Sequence, residues 1–368
     1  STQWESVLTK EPRFRDRPPE QNPNVVSPIG TVADKVSPFG PPEAWRKAGR
    51  LWSETKLLRW LQKLYPAPPV VIFLSNNEHR KLSWTDAGLS RRYLARHGLL
   101  NDPEAVRRAF GDAWIEKYAA LFRGFREGLT SPSWRKAARF VGYDAFLTPA
   151  LGRWGGWGRY ALHTSDRLTP WPQVWDGASV SFYVHNWNSS TDFTVHSPQV
   201  ESMNWVPVIE DTLAADPAYW FEMSLWDGHR PGKDSDQRDY YRSKGQTYTP
   251  ERYAGMAKFG MWLLRPRLVR SFRLWTQDLA DYRDYFLAVA RSVDQVHQDR
   301  LLRAFWRHGR LLANHSGEHP YQASIPEGLE QRDRWFLLDV DVNTGGFDDL
   351  DDEINVFAMG LRRQDNGE

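Results

Sequence analysis

The chain of 368 residues carries 48 Lys plus Arg against 46 Asp plus Glu, giving a formal net charge of +2, and contains no Cys. Balanced charge without a long basic run disfavours nucleic-acid binding. The lack of Cys excludes disulfides and thiolate metal sites, and no apolar run approaches the roughly 18 residues of a membrane span. The 19 Trp, 14 Tyr and 18 Phe are many, and because aromatic rings stack on the C–H faces of sugars, they favour glycan binding.

The first third of the chain begins with repeated proline and turn residues. Residues 1–42 include Ser37-Pro-Phe-Gly-Pro-Pro42, a composition that predicts a long irregular loop. Apolar residues at helical spacing then predict a helix over 43–64. After Pro66, Pro68 and Pro69, the continuous apolar run over 70–75 predicts a parallel strand buried on both faces.

Helices and strands alternate through the rest of the chain. Asn101-Asp-Pro-Glu104 has the composition of a helix start, and the apolar spacing continues the helix through Phe125. Further strands are predicted over 138–145, 179–185, 219–225 and 259–264. Further helices are predicted over 199–215 and 250–258, and one long helix or two shorter ones over 278–312. This alternation predicts a parallel α/β sheet. Polar and aromatic residues follow the carboxyl ends of several strands, which favours a (β/α)8 TIM-type barrel.

The number of predicted strands is too small for a complete barrel. Five strands leave only the proline-rich start to supply three more, so we expect a barrel that lacks its first strands in this chain, as a fragment or one piece of a cleaved protein. Segments 3–8 and 24–29 are candidates for remnants of those strands. A smaller open α/β sheet is the alternative. The chain begins with Ser1 rather than Met, from which we expect a processed N-terminus and a secreted or periplasmic protein.

We predict two regions, a barrel domain over 1–318 and a small β-rich segment over 319–368. In the second region, two strand-like runs flank an acidic turn over 339–353. Its glycine spacing does not match a calcium-binding EF-hand loop, so a solvated hairpin turn is favoured. We predict neither a metal site nor a cofactor.

Two carboxylates stand out because of their surroundings. Glu222 lies inside the apolar and aromatic run Tyr219-Trp-Phe-Glu-Met-Ser-Leu-Trp226, where an unpaired charge costs several kcal/mol. Glu78 follows Asn76 and Asn77 at the end of the apolar strand over 70–75. Two carboxylates at the ends of strands suggest acid/base chemistry. For Glu222, a structural salt bridge to an Arg is the rival interpretation.

Asn77-Glu78 after one strand and Glu222 three β/α units later together resemble the clan of retaining glycoside hydrolases with (β/α)8 barrels. The resemblance covers roughly residues 65–265. It implies that Glu78 is the acid/base after the fourth strand and Glu222 the nucleophile on the seventh. Retaining enzymes hold these carboxyl groups about 5–5.5 Å apart, whereas about 6.5–9.5 Å is typical of inverting enzymes.

The same resemblance assigns substrate-binding roles to residues near these carboxylates. It implies that Asn77 hydrogen-bonds a sugar 2-OH, and that Tyr183 on the sixth strand donates to the nucleophile. His185, Asn186 and Trp187 lie at the mouth of that strand. Four further Trp residues are candidates for stacking on sugar rings, with core packing as the alternative for each. They are Trp226, Trp262 at the predicted strand eight, and Trp154 and Trp157 in a glycine-rich loop.

The predicted substrate is a polysaccharide or oligosaccharide. Basic residues in the loops after the strands suggest that the substrate is anionic, either sulfated or uronic, although such residues are often only solvated. They are His79, Arg80, Lys81, Arg153, Arg159, His229, Arg230 and Lys233. Two alternatives stay open: a non-catalytic glycan-binding protein on a degenerate barrel, and a polysaccharide lyase with Tyr183 or His185 as base. The sequence does not determine the oligomeric state.

Overall fold

A computed structural model describes residues 4–75, 82, 84–143, 174–183, 209, 212, 213, 216–226, 249–271, 279–311 and 360–363. The chain has a mixed α/β fold and divides into two compact units, Ser1–Ala178 with Thr212–Tyr219 and Ser179–Asp211 with Trp220–Glu368. In the described ranges, the helices are all too short or too polar to cross a membrane.

The proline-rich start is folded, so the prediction of a long irregular loop over 1–42 is wrong. Helices α1 (Trp4–Lys10) and α2 (Pro12–Arg15) are followed by a two-stranded antiparallel sheet of β1 (Asn24–Val26) and β2 (Val32–Val36). Prolines fit here because one begins α2 at its first turn, where its missing N–H costs nothing. The two segments proposed as remnants of barrel strands are therefore a helix and part of a separate sheet.

The rest of the first unit is built around a long helix. The long helix is α6 (Pro103–Gly128). The other elements of this unit are α3 (Pro42–Ser53), α4 (Lys56–Leu64), β3 (Val71–Ser75), a 3-10 helix (Trp84–Leu89), α5 (Arg91–His97), α7 (Pro132–Ala137) and β4 (Ala138–Tyr143). The helix predicted over 43–64 is divided in two, because Thr55 caps α4 by accepting a hydrogen bond from the Leu58 amide at 3.3 Å.

Aromatic side chains join α6 to the strands. Phe125 lies 4.6 Å from Phe73 of β3 and Phe122 lies 4.5 Å from Phe140 of β4, as measured between ring centroids. Phe125 also meets Trp52 of α3 at 4.7 Å. A substantial part of the aromatic content thus packs the core of this unit, where it contributes buried apolar area rather than a sugar-binding face.

Helices α3 and α6 approach each other so closely that glycine is required at their contact. A Cβ atom built on Gly124 would lie 1.8 Å from the Arg46 carbonyl oxygen, and one built on Gly49 would lie 1.9 Å from the Leu121 carbonyl oxygen. Both neighbours are helix backbone, which cannot move away as a flexible side chain can. The contact therefore depends on the absence of a side chain at these two positions.

We expect Gly124→Ala to lower the free energy of unfolding by about 3 kcal/mol, because the helices must separate to admit the methyl group. Gly255→Ala is the matched control: Gly255 lies within a helix of the second unit with nothing within 4 Å of an added Cβ. There the substitution should stabilise by about 0.5–1 kcal/mol. Chemical denaturation of both variants measures the difference, and equal effects would contradict the close approach.

The second unit contains β6 (Trp220–Trp226), α8 (Pro250–Leu264), β7 (Leu268–Ser271), α9 (Leu279–Gln298), α10 (Arg300–His308), β8 (Gly309–Leu311) and β9 (Leu361–Arg363). The strand predicted over 259–264 is wrong, because those residues form the second half of α8. Thr249 caps this helix and Pro250 begins it, and Arg265 ends it in the left-handed conformation with φ 44°. The true strand begins four residues after the helix ends.

Five strands form one parallel sheet in chain order, with β5 (Gly177–Tyr183) between β4 and β6. The register of β3 with β4 runs from Val71 opposite Ala138, and that of β6 with β7 from Glu222 opposite Leu268. The predicted parallel α/β sheet is confirmed, and four strands lie close to their predicted bounds. Of the predicted C-terminal β segment, the structure describes residues 360–363, which include β9, paired antiparallel with β8.

Candidate active site

Glu222 is the third residue of β6, and its side chain is only 2% exposed. Successive strand residues point to opposite faces, so Glu222 shares a face with Ser224 and Trp226. All three are buried. The prediction that Glu222 lies near the end of its strand is thus inaccurate, because four strand residues follow it.

The opposite face of these strands packs on helices. Ser271, the last residue of β7, hydrogen-bonds through its hydroxyl to that of Tyr282 in α9. In the register of β6 with β7, Leu225 lies opposite Ser271 and therefore on this helical face, whereas Ser224 lies opposite Arg270. Glu222, Ser224 and Arg270 consequently occupy the face that points away from α9.

An ion pair links Glu222 to the neighbouring strand. Arg270 Nε donates a hydrogen bond of 2.7 Å to Glu222 Oε1, and one of its terminal nitrogens lies 3.4 Å from the Ser179 hydroxyl of β5. Each of the three is the third residue of its strand. The Arg270 side chain is 34% exposed, so its guanidinium retains part of its hydration while the carboxylate retains almost none.

The second oxygen of Glu222 is less well satisfied than the first. In the described ranges, Glu222 Oε2 and the Ser224 hydroxyl are buried without a hydrogen-bond partner. Leaving a buried acceptor unsatisfied costs about 1–3 kcal/mol, and more for a charged group. The arrangement is therefore a carboxylate with one oxygen held by Arg270 and one oxygen that can take a further ligand or form a bond.

The residue before β6 is a buried tyrosine. Burial, and to a smaller extent the nearby charges of Asp176 and Asp216, raise the pKa of the Tyr219 hydroxyl well above its ordinary value. Tyr219 therefore stays protonated at neutral pH and is not a candidate base. No cluster of three or more possible metal ligands occurs in the part of the chain that the structure describes.

Most of the other predicted site residues lie outside the described residues. These are Asn77, Glu78, His185, Asn186, Trp187, Trp154, Trp157 and all eight basic loop residues proposed to contact an anionic sugar. Tyr183 ends β5, but its side chain is outside the described part of the chain. The separation of the two proposed catalytic carboxyl groups and their roles accordingly stay predictions.

The two described tryptophans proposed for sugar stacking differ in their surroundings. Trp226 ends β6 on the same face as Glu222, and it is buried with 2% exposure, so in this conformation its ring is covered. Trp262 lies on α8 instead of a strand, 5.4 Å from the ring of Trp306 on α10. Its predicted position on an eighth strand is wrong, and its contact with Trp306 is helix packing.

Arg270 and Ser179 are the site residues that the sequence analysis missed. An Arg partner for Glu222 was the rival interpretation, but the residue was not identified. Arg270 lies in the run Leu268-Val-Arg-Ser271, in which two apolar residues are followed by two polar ones. Such a run neither alternates nor forms a continuous apolar stretch, so it gives no strand signal that places Arg270 beside Glu222.

Comparisons with protein-family models, with curated proteins and with solved structures found no match to this chain.

Proposed function

We propose that the protein is a retaining glycoside hydrolase that cleaves a polysaccharide or oligosaccharide, with Glu222 as nucleophile and Glu78 as acid/base. The observation that carries the proposal is the state of Glu222: a buried carboxylate with Oε1 held by Arg270 at 2.7 Å and Oε2 without a hydrogen-bond partner among the described residues. A nucleophilic carboxylate needs an oriented side chain and one oxygen available for bond formation.

The chemistry proceeds by two displacements at the anomeric carbon. Glu222 Oε2 attacks that carbon while Glu78 donates its proton to the leaving glycosidic oxygen, which breaks the glycosidic bond and forms a glycosyl ester on Glu222. Glu78, now a carboxylate, removes a proton from water, whose oxygen attacks the anomeric carbon and releases Glu222. Arg270 is a positioning residue: its Nε donates a hydrogen bond of 2.7 Å to Oε1, which fixes the orientation of the carboxylate and leaves Oε2 for the attack.

The order of the strands supports this assignment. We interpret β3 to β7 as strands four to eight of a (β/α)8 barrel, so that β6 corresponds to strand seven. Glu78 follows β3 by three residues, and β6 is the third strand after β3 in both chain and sheet order. This is the interval between acid/base and nucleophile in the clan that the sequence resembles. In such barrels the helices pack outside, and the opposite face, here that of Glu222, lines the interior.

A second candidate function is supported by the depth of Glu222 in its strand. Trp226 is buried on the same face at the carboxyl end of β6, four residues beyond Glu222, whereas catalytic residues of barrel enzymes lie at the carboxyl ends of strands. If a sugar does not reach Glu222, the ion pair with Arg270 has a structural role only, which is to stabilise the sheet. The protein is then a non-catalytic glycan-binding protein.

Hydrolysis of a glycan panel with anomeric analysis distinguishes these functions. The panel should pair neutral glycans with their sulfated or uronic counterparts, and proton NMR should record the configuration of the first product. We expect hydrolysis with retention. Inversion would contradict the nucleophilic role of Glu222, binding without turnover would favour the second candidate, and unsaturated products would indicate a lyase. Equal turnover of each neutral and anionic pair would remove the anionic preference.

A further inference from the structure

The segment from α4 to β3 exposes an unusual number of large apolar side chains. Six such residues form what we term the edge surface: Leu57, Trp60, Leu64, Tyr65, Val70 and Leu74. Leu57 is 62% exposed and Trp60 57% exposed. Isolated exposed apolar residues are ordinary, but six within 18 consecutive residues are more than scattered exposure explains and favour an interaction site.

The exposed face of α4 is distinct from the face that packs on the protein. Leu57, Trp60 and Leu64 are spaced three and four residues apart and therefore share one stripe of the helix. The inner side of the helix is anchored by Gln62, whose side-chain oxygen accepts hydrogen bonds from the Thr130 hydroxyl at 3.1 Å and the Ser131 amide at 2.9 Å. Since both the cap at Thr55 and this anchor fix α4, the exposed stripe is not the result of a frayed helix.

β3 is an edge strand of the five-stranded sheet. Among the described residues, no strand pairs with its outer edge. Leu74 of β3 is 39% exposed, whereas Phe140 and Val141 of β4 are fully buried. Strands of parallel sheets are ordinarily covered on both faces and paired on both sides, and an open edge presents N–H and C=O groups that another strand can bind.

The charged residues of α4 indicate which kind of partner the edge surface binds. Lys56, Arg59 and Lys63 are exposed and form a basic stripe next to the apolar stripe of α4. A second copy of the chain would place this stripe against an identical one, which like-charge repulsion disfavours. An anionic membrane would satisfy the basic and apolar stripes, but lipids leave the backbone groups of an edge strand without partners.

We infer that the edge surface binds an acidic, partly apolar polypeptide, which adds a strand to the outer edge of β3 and packs apolar side chains on Leu57, Trp60 and Leu64. Backbone hydrogen bonds to β3 provide affinity, as in other complexes that form by strand addition. The apolar stripe provides the side-chain contacts. Carboxylates of the partner pair with Lys56, Arg59 and Lys63. In the barrel interpretation of β3 to β7, the added strand takes the place of strand three, and its binding is measured separately from hydrolysis.

The test uses the full chain and two synthetic peptides, one of alternating Val and Glu and one of alternating Val and Lys. We expect the acidic peptide to bind at least about tenfold more tightly than the basic one, since three basic residues border the surface. Amide hydrogen exchange should slow within 71–75 when the acidic peptide is bound. Failure of that peptide to bind, equal binding of both peptides, or binding without protection of 71–75 would each overturn the inference.

Charge reversal provides the matched comparison. The triple variant Lys56→Glu, Arg59→Glu and Lys63→Glu should lose at least about tenfold in affinity for the acidic peptide. The control reverses Arg300, Arg303 and Arg307 on α10, which is also basic and exposes Leu301, and should leave binding unchanged. Binding to vesicles of anionic lipid through α4, or self-association of the chain that the first triple variant abolishes, would identify a different occupant and overturn the inference.

Discussion

Replacing Glu222 by Ala is expected to lower the rate of glycoside hydrolysis by about 10⁵-fold, a loss on the order of 7 kcal/mol of transition-state stabilisation. The variant has no oxygen that can attack the anomeric carbon, while substrate binding and the acid/base stay in place. Azide should restore turnover, because the truncated side chain leaves space for a small anion. The azide would attack from the side that Glu222 occupied and yield a glycosyl azide of inverted configuration.

The configuration of the azide product separates the two proposed carboxylates. In Glu78→Ala the nucleophile is intact, so azide enters at the second displacement and the glycosyl azide retains the substrate configuration. Glu222→Gln is a further control, since it preserves the shape of the side chain and an acceptor for Arg270 Nε. Residual activity in Glu222→Ala near that of the unmodified protein, with its circular dichroism unchanged, would end the assignment of Glu222.

Replacing Arg270 by Met is expected to lower the free energy of unfolding by about 3 kcal/mol, because it leaves the carboxylate of Glu222 buried and unpaired. This is the lower end of the usual range for breaking a buried pair. The Arg270 side chain is itself one-third exposed, so part of the interaction is screened by water. Denaturant titration at neutral pH measures the change.

Two companion variants show whether the loss arises from the ion pair. The double variant Glu222→Leu with Arg270→Met should fold within about 1 kcal/mol of the unmodified protein, since an apolar pair replaces a buried ionic one at little cost. Arg267→Met removes an exposed arginine that stacks on the Trp220 ring at 4.9 Å, and should cost only about 0.5–1 kcal/mol. A loss for Arg270→Met no larger than that for Arg267→Met would contradict the energetic role of the pair.

The strands were predictable where a mostly apolar run of residues marks them. The runs that became β3, β4, β5 and β6 are apolar enough that their positions follow from hydrophobicity. The run over 259–264 is equally apolar, and a continuous apolar run fits a buried helix as well as a strand. The signals that distinguish them lie ten residues earlier, at Thr249 and Pro250, whose capping commits the whole segment to a helix. β7 was missed because it is short and carries a charge.

The candidate site was predictable only in part for a related reason. The position of Glu222 in an apolar strand predicts that it has a partner or a chemical role, since an unpaired buried charge is costly. The identity of the partner depends on the register of β6 with β7, which sequence spacing does not determine. Because the strand is predicted at 259–264, Arg270 falls outside the predicted sheet, and the Arg partner that the rival interpretation requires is not identified.

Covalent trapping tests the nucleophilic role of Glu222 most directly. The protein should be incubated with 2-deoxy-2-fluoro glycosides of each sugar that it hydrolyses, which slow the second displacement and allow the glycosyl ester to accumulate. Proteolysis and mass spectrometry then locate the adduct. We predict a single fluoroglycosyl group on Glu222. An adduct on another carboxylate, or no adduct with any sugar that the protein turns over, would contradict the proposed mechanism.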